Sequence, residues 1–156
     1  MQLPRPEIDA VSRSKGRFSN EKSAESGRPK ILLVDDNPAI LKRVETLLRT
    51  RFEIVGVSPN GAEALELVEA SSPDVVVLDI SMPPGLSGIE LARMIRRRNA
   101  KPRFVYLTQH EDSGLAEATR EEGGYAYVVK RCLATDLIPA IETVIRGGSF
   151  VSRLAP

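Results

Sequence analysis

One cysteine in 156 residues, no apolar run long enough for a bilayer and no excess of either charge set the first limits. Cys132 has no partner for an internal disulfide, and the most apolar runs, Ile31 to Val34 and Val75 to Leu78, fall far short of the roughly 20 residues of a membrane helix. The first residues lack the apolar core of a secretory signal. A reducing, cytoplasmic setting is the expectation. The 22 basic and 21 acidic residues nearly cancel, which withholds the electrostatic footprint of a nucleic-acid binder. Direct DNA binding is not expected. No glycine-rich loop follows any apolar run, which argues against a nucleotide cradle.

What is present suits one domain, large enough to bury about two-thirds of the surface of its unfolded chain without a metal or disulfide staple. Residues 1–28 carry six basic and four acidic residues, with Leu3, Ile8, Val11 and Phe18 as the only large apolar ones besides Met1. Such a segment hardly offsets its own ordering entropy, so a disordered tail is expected there. Residues 29–148 are the folded domain and 149–156 a short C-terminal tail. A second domain is not expected.

Within the domain, short apolar runs alternate with amphipathic stretches, the signature of βαβ units and a parallel sheet. Lys30 to Val34, Val75 to Leu78 and Arg103 to Leu107 are nearly continuous in apolar character and read as central strands covered on both faces. Phe52 to Val57 and Tyr125 to Val129 are more mixed and read as outer strands. Five helical patterns lie between and after them. The first opens at Asn37 with Pro38 suited to the first helical position. The second covers about Gly61 to Ala70. The third has a capping box, Ser87 with Glu90, and ends on Arg96, Arg97 and Arg98, which favour the helix dipole and read as a solvated end. The fourth covers about Ser113 to Glu122. The last carries Leu137, Ile141, Val144 and Ile145 on one face and stops at Gly147 and Gly148, with Pro139 obscuring its start. Right-handed crossovers then give an α/β, doubly wound, five-stranded parallel sheet of flavodoxin-like order 2-1-3-4-5.

In open sheets of this kind ligands bind beyond the carboxyl ends of the strands. There the sequence places Asp35 and Asp36 after strand one, Asp79 after strand three, Thr108 after strand four and Lys130 at the close of strand five. Asp35 and Asp36 converge only where the backbone already turns toward Asn37 and Pro38. Three carboxylates in one crevice repel by on the order of several kcal/mol and call for a cation. Their hard oxygens suit Mg2+, which takes a few carboxylates, waters and a phosphate oxygen. Asp79 is the natural nucleophile toward phosphorus, with Lys130 and Thr108 able to meet phosphoryl oxygens.

These residues closely resemble the receiver domains of two-component response regulators, the CheY-like family. The resemblance covers about Pro29 to Gly148 and rests on "ILLVDDNP" at Ile31, "DVVVLDISMP" at Asp74, "VYLT" at Val105, "GGYAYVVK" at Gly123 and "AIETVIRGG" before Phe150. The ending is most similar to the NarL/FixJ subfamily, whose members often continue into a helix-turn-helix DNA-binding domain; a protein without that output domain is the expectation. The resemblance implies that Asp79 takes a phosphoryl group from a sensor histidine kinase or a phosphotransfer protein. It implies magnesium held by Asp36, Asp79 and the Ser81 backbone carbonyl, with Asp35 acting mainly through water. Thr108 and Tyr127 resemble the switch pair. Ser81 and His110 stand where the family tunes phosphoryl lifetime. The output is then a downstream protein, met on the surface of the fourth helix, fifth strand and last helix, by a monomer or a phosphorylation-dependent dimer. The chain is a phosphoacceptor rather than an enzyme, limited to self-phosphorylation and slow self-dephosphorylation.

Several positions depart from the family pattern. Arg131 follows the lysine where proline is frequent, Gln109 follows the switch threonine where a small residue is frequent, and Met82 to Gly88 is one residue longer than usual. Gly124 and Ala126 stand where alanine and glycine are common. Gln109 and Arg131 leave open a receiver-like binding module that signals without phosphorylation. A haloacid-dehalogenase phosphatase is disfavoured, since those enzymes separate their two first-strand aspartates by one residue.

Overall fold

The computed structural model describes residues 27–82, 85, 87–99, 101–109 and 125–152. In chain order these form β1 (Lys30–Val34), α1 (Pro38–Leu48), β2 (Glu53–Ser58), α2 (Gly61–Ser71), β3 (Val75–Asp79), α3 (Gly88–Arg98), β4 (Arg103–Thr108) and β5 (Tyr125–Val129). A 3-10 turn (Lys130–Cys132), α4 (Leu133–Ile145) and a two-residue β6 (Phe150–Val151) complete the described chain. The expected fourth helix at 113–122 lies outside the described residues. All strand pairs are parallel, in the order β2-β1-β3-β4-β5-β6.

Alternation along the strands divides the core into two layers, because successive side chains of a strand leave by opposite faces. Leu32, Val34, Val76, Leu78, Phe104 and Tyr106 pack on one side with Ala64 and Val68 of α2 and Leu91, Ala92 and Ile95 of α3. Ile31, Leu33, Val75, Val77, Val105 and Leu107 pack on the other with Val44 and Leu48 of α1 and Leu137, Ile141 and Val144 of α4. Both faces are dry, which is why the central strands read as unbroken apolar runs.

The local signals at the helix ends act as their chemistry dictates. Asn37 caps α1, its side chain accepting from the amides of Ala39 and Ile40, with Pro38 at the first helical position. Ser87 and Glu90 form the reciprocal capping box of α3. α4 starts at Leu133 and runs through Pro139, so the proline interrupts one hydrogen bond without ending the helix.

Two expectations are corrected. Tyr125–Val129 is not an outer strand: it is buried throughout and lies between β4 and β6. The sheet therefore has six strands rather than five, the sixth formed by Phe150–Val151 from the segment assigned to a tail. A two-residue strand has no periodicity to read, and without it β5 has to be placed at the edge. In the arginine triplet Arg97 and Arg98 are exposed at the helix end, Arg98 pairing with the exposed Glu69 at 3.1 Å, while Arg96 is half-buried with its Cζ 5.0 Å from the Phe104 ring centroid.

Lys30, the first residue of β1, is 1 % exposed, and its ammonium donates to the Ser71 carbonyl at 2.7 Å. Burial lowers its pKa, Lys101 adds to the effect, and Asp74 and Glu53 oppose it. The unfolded chain then binds more protons than the folded one between the lowered and the ordinary lysine value, so this residue makes stability rise with pH in that window. Lys30→Met is expected to flatten the rise in urea midpoint as pH approaches the ordinary lysine value from below. An identical slope in both proteins would show that Lys30 is not the group responsible.

Candidate functional site

β1, β3, β4 and β5 end on the same rim of the sheet, and the charged groups gather there. The ladder sets this out: Asp79 pairs in register with Leu107, and Thr108, one residue on, pairs with Val129, the residue before Lys130. Adjacent strands thus deliver Asp79, Thr108 and the lysine turn side by side.

At the end of β1 the backbone turns at once. The Asp35 amide still pairs with the Ser58 carbonyl of β2 at 3.1 Å, and the Asp35 carboxylate accepts from the Asn37 amide at 2.9 Å. This tight turn lets two consecutive aspartates face one point despite strand alternation. Asp35 is buried and Asp36 exposed. Each of Asp35, Asp36 and Asp79 offers a carboxylate oxygen, all within 4.8 Å of one another.

The charges are only partly compensated. Lys130, 7 % exposed, opens the 3-10 turn rather than closing β5, and its ammonium lies 2.9 Å from Asp35 Oδ2 and 3.4 Å from Asp79 Oδ2. Asp79 Oδ1 accepts from the Ser81 amide at 3.2 Å. Burial raises the Asp79 pKa, the Asp35 charge raises it further, and Lys130 and the Ser81 amide pull it back. Among the described residues, one ammonium faces three carboxylates, and the donor set consists of hard oxygens, which fits a divalent cation of the magnesium type better than zinc.

Thr108 ends β4 with 6 % exposure, and Tyr127 sits in β5 at 1 %, inside the layer under α2 and α3. Ser81 and Gln109 are exposed beside the rim. His110 lies outside the described residues, so Ser81 is the member of that expected pair that can be placed. Sequence reasoning missed Gly88. Its amide donates to the Ile80 carbonyl at 2.8 Å, and a Cβ on Gly88 would stand 2.2 Å from the Asp79 carbonyl oxygen. Nothing in the capping box announces that contact, although a glycine directly after a cap serine, where the helix gains nothing from it, is the one available hint.

Comparison with known proteins finds a family match and several relatives. The response regulator receiver domain matches residues 31–142. The transcriptional regulatory protein PdtaR of Mycobacterium tuberculosis is 36 % identical over 124 residues, which is 78 % of this chain and 60 % of PdtaR. The transcriptional regulatory protein DegU of Brevibacillus brevis is 31 % identical over 123 residues, 78 % of this chain and 52 % of DegU. The chain thus spans between half and three-fifths of the length of these two curated relatives. Among solved structures, a LuxR-family two-component response regulator from Aurantimonas sp. SI85-9A1 superposes with a TM-score of 0.73 at 32 % identity, covering 79 % of this chain and 89 % of that one. The signal receiver domain of the putative response regulator NarL from Mycobacterium tuberculosis gives 0.70 at 26 % identity, covering 77 % and 98 %.

Proposed function

Because the chain belongs to the response regulator receiver domain family, we propose that it is a phosphorylation switch in which Asp79 accepts a phosphoryl group from a phosphohistidine donor. In this reading an Asp79 carboxylate oxygen attacks phosphorus. The new P–O bond forms as the P–N bond to the donor imidazole breaks, and the imidazole keeps the electron pair. The observation that carries the proposal is the convergence of Asp35, Asp36 and Asp79 within 4.8 Å, with the Lys130 ammonium against two of them.

Asp36, Asp79 and the Ser81 carbonyl would hold Mg2+, with Asp35 supporting through water. The ion would neutralise charge on the carboxylates and the phosphoryl oxygens. Lys130, already beside Asp79 Oδ2, is placed to pair with an incoming phosphoryl oxygen as the two anions meet. Thr108 donates its hydroxyl to a further phosphoryl oxygen, and Tyr127 follows that movement from the neighbouring strand. The pair biases an existing equilibrium, so a partner that prefers the active arrangement also favours phosphorylation. Ser81 and His110 set how readily water reaches the acyl phosphate. A sensor histidine kinase or a phosphotransfer protein supplies the group, and a downstream protein reads the result in the cytoplasm.

Incubation with acetyl phosphate and Mg2+, followed by intact-mass measurement, is expected to add one phosphoryl group to the wild type. Asp79→Asn and chelation of the ion are each expected to abolish the addition. A wild-type chain that stays unmodified under these conditions would favour the alternative of a binding module that works without phosphorylation.

A further inference from the structure

The turn that carries Lys130 is fastened from behind by a single hydroxyl. Ser152 follows β6 and is 3 % exposed. Its Oγ accepts from the Val129 amide at 3.1 Å and donates to Asp136 Oδ2 at 2.6 Å. Val129 is the last residue before the 3-10 turn, and Asp136 stands in the first turn of the helix that follows it. One oxygen therefore bridges both shoulders of the segment Lys130–Cys132. The Ser152 amide adds a third tie by donating to the Tyr127 carbonyl at 2.8 Å, and the Thr135 hydroxyl holds Asp136 Oδ1 at 3.0 Å.

Other ties of the turn are local: the Thr135 hydroxyl donates to the Cys132 carbonyl at 3.3 Å, and the Leu133 amide donates to the Lys130 carbonyl. Neither the 3-10 segment nor α4 has a side-chain cap hydrogen bond. Arg131, directly after the lysine, brings none of the ring closure by which proline fixes a backbone angle. Yet the Lys130 ammonium has to stay between Asp35 and Asp79 on an otherwise crowded rim.

We propose that Ser152, with Asp136, is the positioning residue for Lys130: it touches no reacting group, and it fixes the turn from which the ammonium reaches Asp79. The proposal rests on the reading of Asp79 as phosphoacceptor. A short, charge-assisted bond from the buried Ser152 to the half-buried Asp136 carboxylate suits the task, because it holds both donor and acceptor in one geometry. A small misplacement of a charged group near the reacting atoms is costly in rate, while Asp36, Asp79 and the Ser81 carbonyl remain in place to hold an ion.

The test measures phosphorylation by acetyl phosphate at saturating donor, as a function of Mg2+, with wild type, Ser152→Ala, Ser152→Thr and Asp136→Ala. Each rate is scaled to the folded fraction from circular dichroism. Ser152→Ala is expected to lower the maximal rate roughly tenfold with an unchanged Mg2+ midpoint, and Ser152→Thr to recover most of it. Asp136→Ala is expected to lower the rate in the same way and carries the test by itself if Ser152→Ala does not fold. An unchanged maximal rate in the folded variant, or a loss confined to the Mg2+ midpoint, overturns the proposal. A wild type that accepts no phosphoryl group under the same conditions overturns instead the reading on which it rests.

Discussion

Replacing Gly88 with alanine is expected to cost about 3 kcal/mol of stability, the upper end of what overpacking a dense interior usually incurs. The added carbon would stand 2.2 Å from the Asp79 carbonyl oxygen, 2.9 Å from its carbonyl carbon and 3.0 Å from the Ile80 Cα. All three are backbone atoms, so no side chain can swing aside. Relief requires α3 to withdraw or β3 to move at its final residue. The first breaks the bond from the Gly88 amide to the Ile80 carbonyl and disturbs the Ser87–Glu90 cap. The second displaces Asp79 itself. The urea midpoint should therefore fall and the surviving folded protein should lose phosphoryl acceptance. Gly85→Ala is the matched control: its nearest neighbour outside the adjoining residues would be the Met82 carbonyl oxygen at 3.9 Å, an ordinary contact. Equal midpoints for the two variants would show that Gly88 has room after all.

Lys130→Met is expected to destabilise the chain by about 3 kcal/mol at neutral pH without divalent ions, because it leaves Asp35 and Asp79 facing each other with no cation between them. Added Mg2+ should restore part of the loss, since an ion bound only by the folded state stabilises it by mass action. Acid should restore part as well, and the sign follows from Asp79. Its folded pKa lies above the ordinary carboxylate value, mainly through burial and then through Asp35. The folded chain therefore binds the extra proton first. Its contribution opposes folding above the raised value, and that penalty is relieved as pH falls through it. Removing Lys130 takes away the interaction that holds the shift in check, so the gap between variant and wild type should narrow from pH 7 toward about pH 5. A gap that widens on acidification would contradict this account.

The site was legible because its chemistry is concentrated in residues that have few other reasons to follow an apolar strand. Asp35, Asp36 and Asp79 come at the ends of runs that read clearly as interior strands, and the topology then brings them together. Helix starts were equally open, since Asn37 with Pro38 and Ser87 with Glu90 are local devices whose hydrogen bonds close within a few residues. What escaped depended on distant neighbours. Lys30 heads the first apolar run, and its burial is accompanied by a bond to the carbonyl of Ser71, 41 positions away, which no local pattern signals. Tyr125–Val129 looked peripheral because its covering strand is two residues long. Gly88 offers only the hint of a glycine after a cap serine, because its proximity to Asp79 is a matter of how a helix and a strand end approach in space.

That two-residue strand also decides where the polypeptide can be trimmed. A recombinant version stopped at Gly148, where helical periodicity ends, would strip the outer flank from β5 and leave a row of amides and carbonyls beside apolar side chains open to any passing chain. Such a product would be prone to clump during purification. Fusion partners and affinity tags therefore belong beyond Ser152.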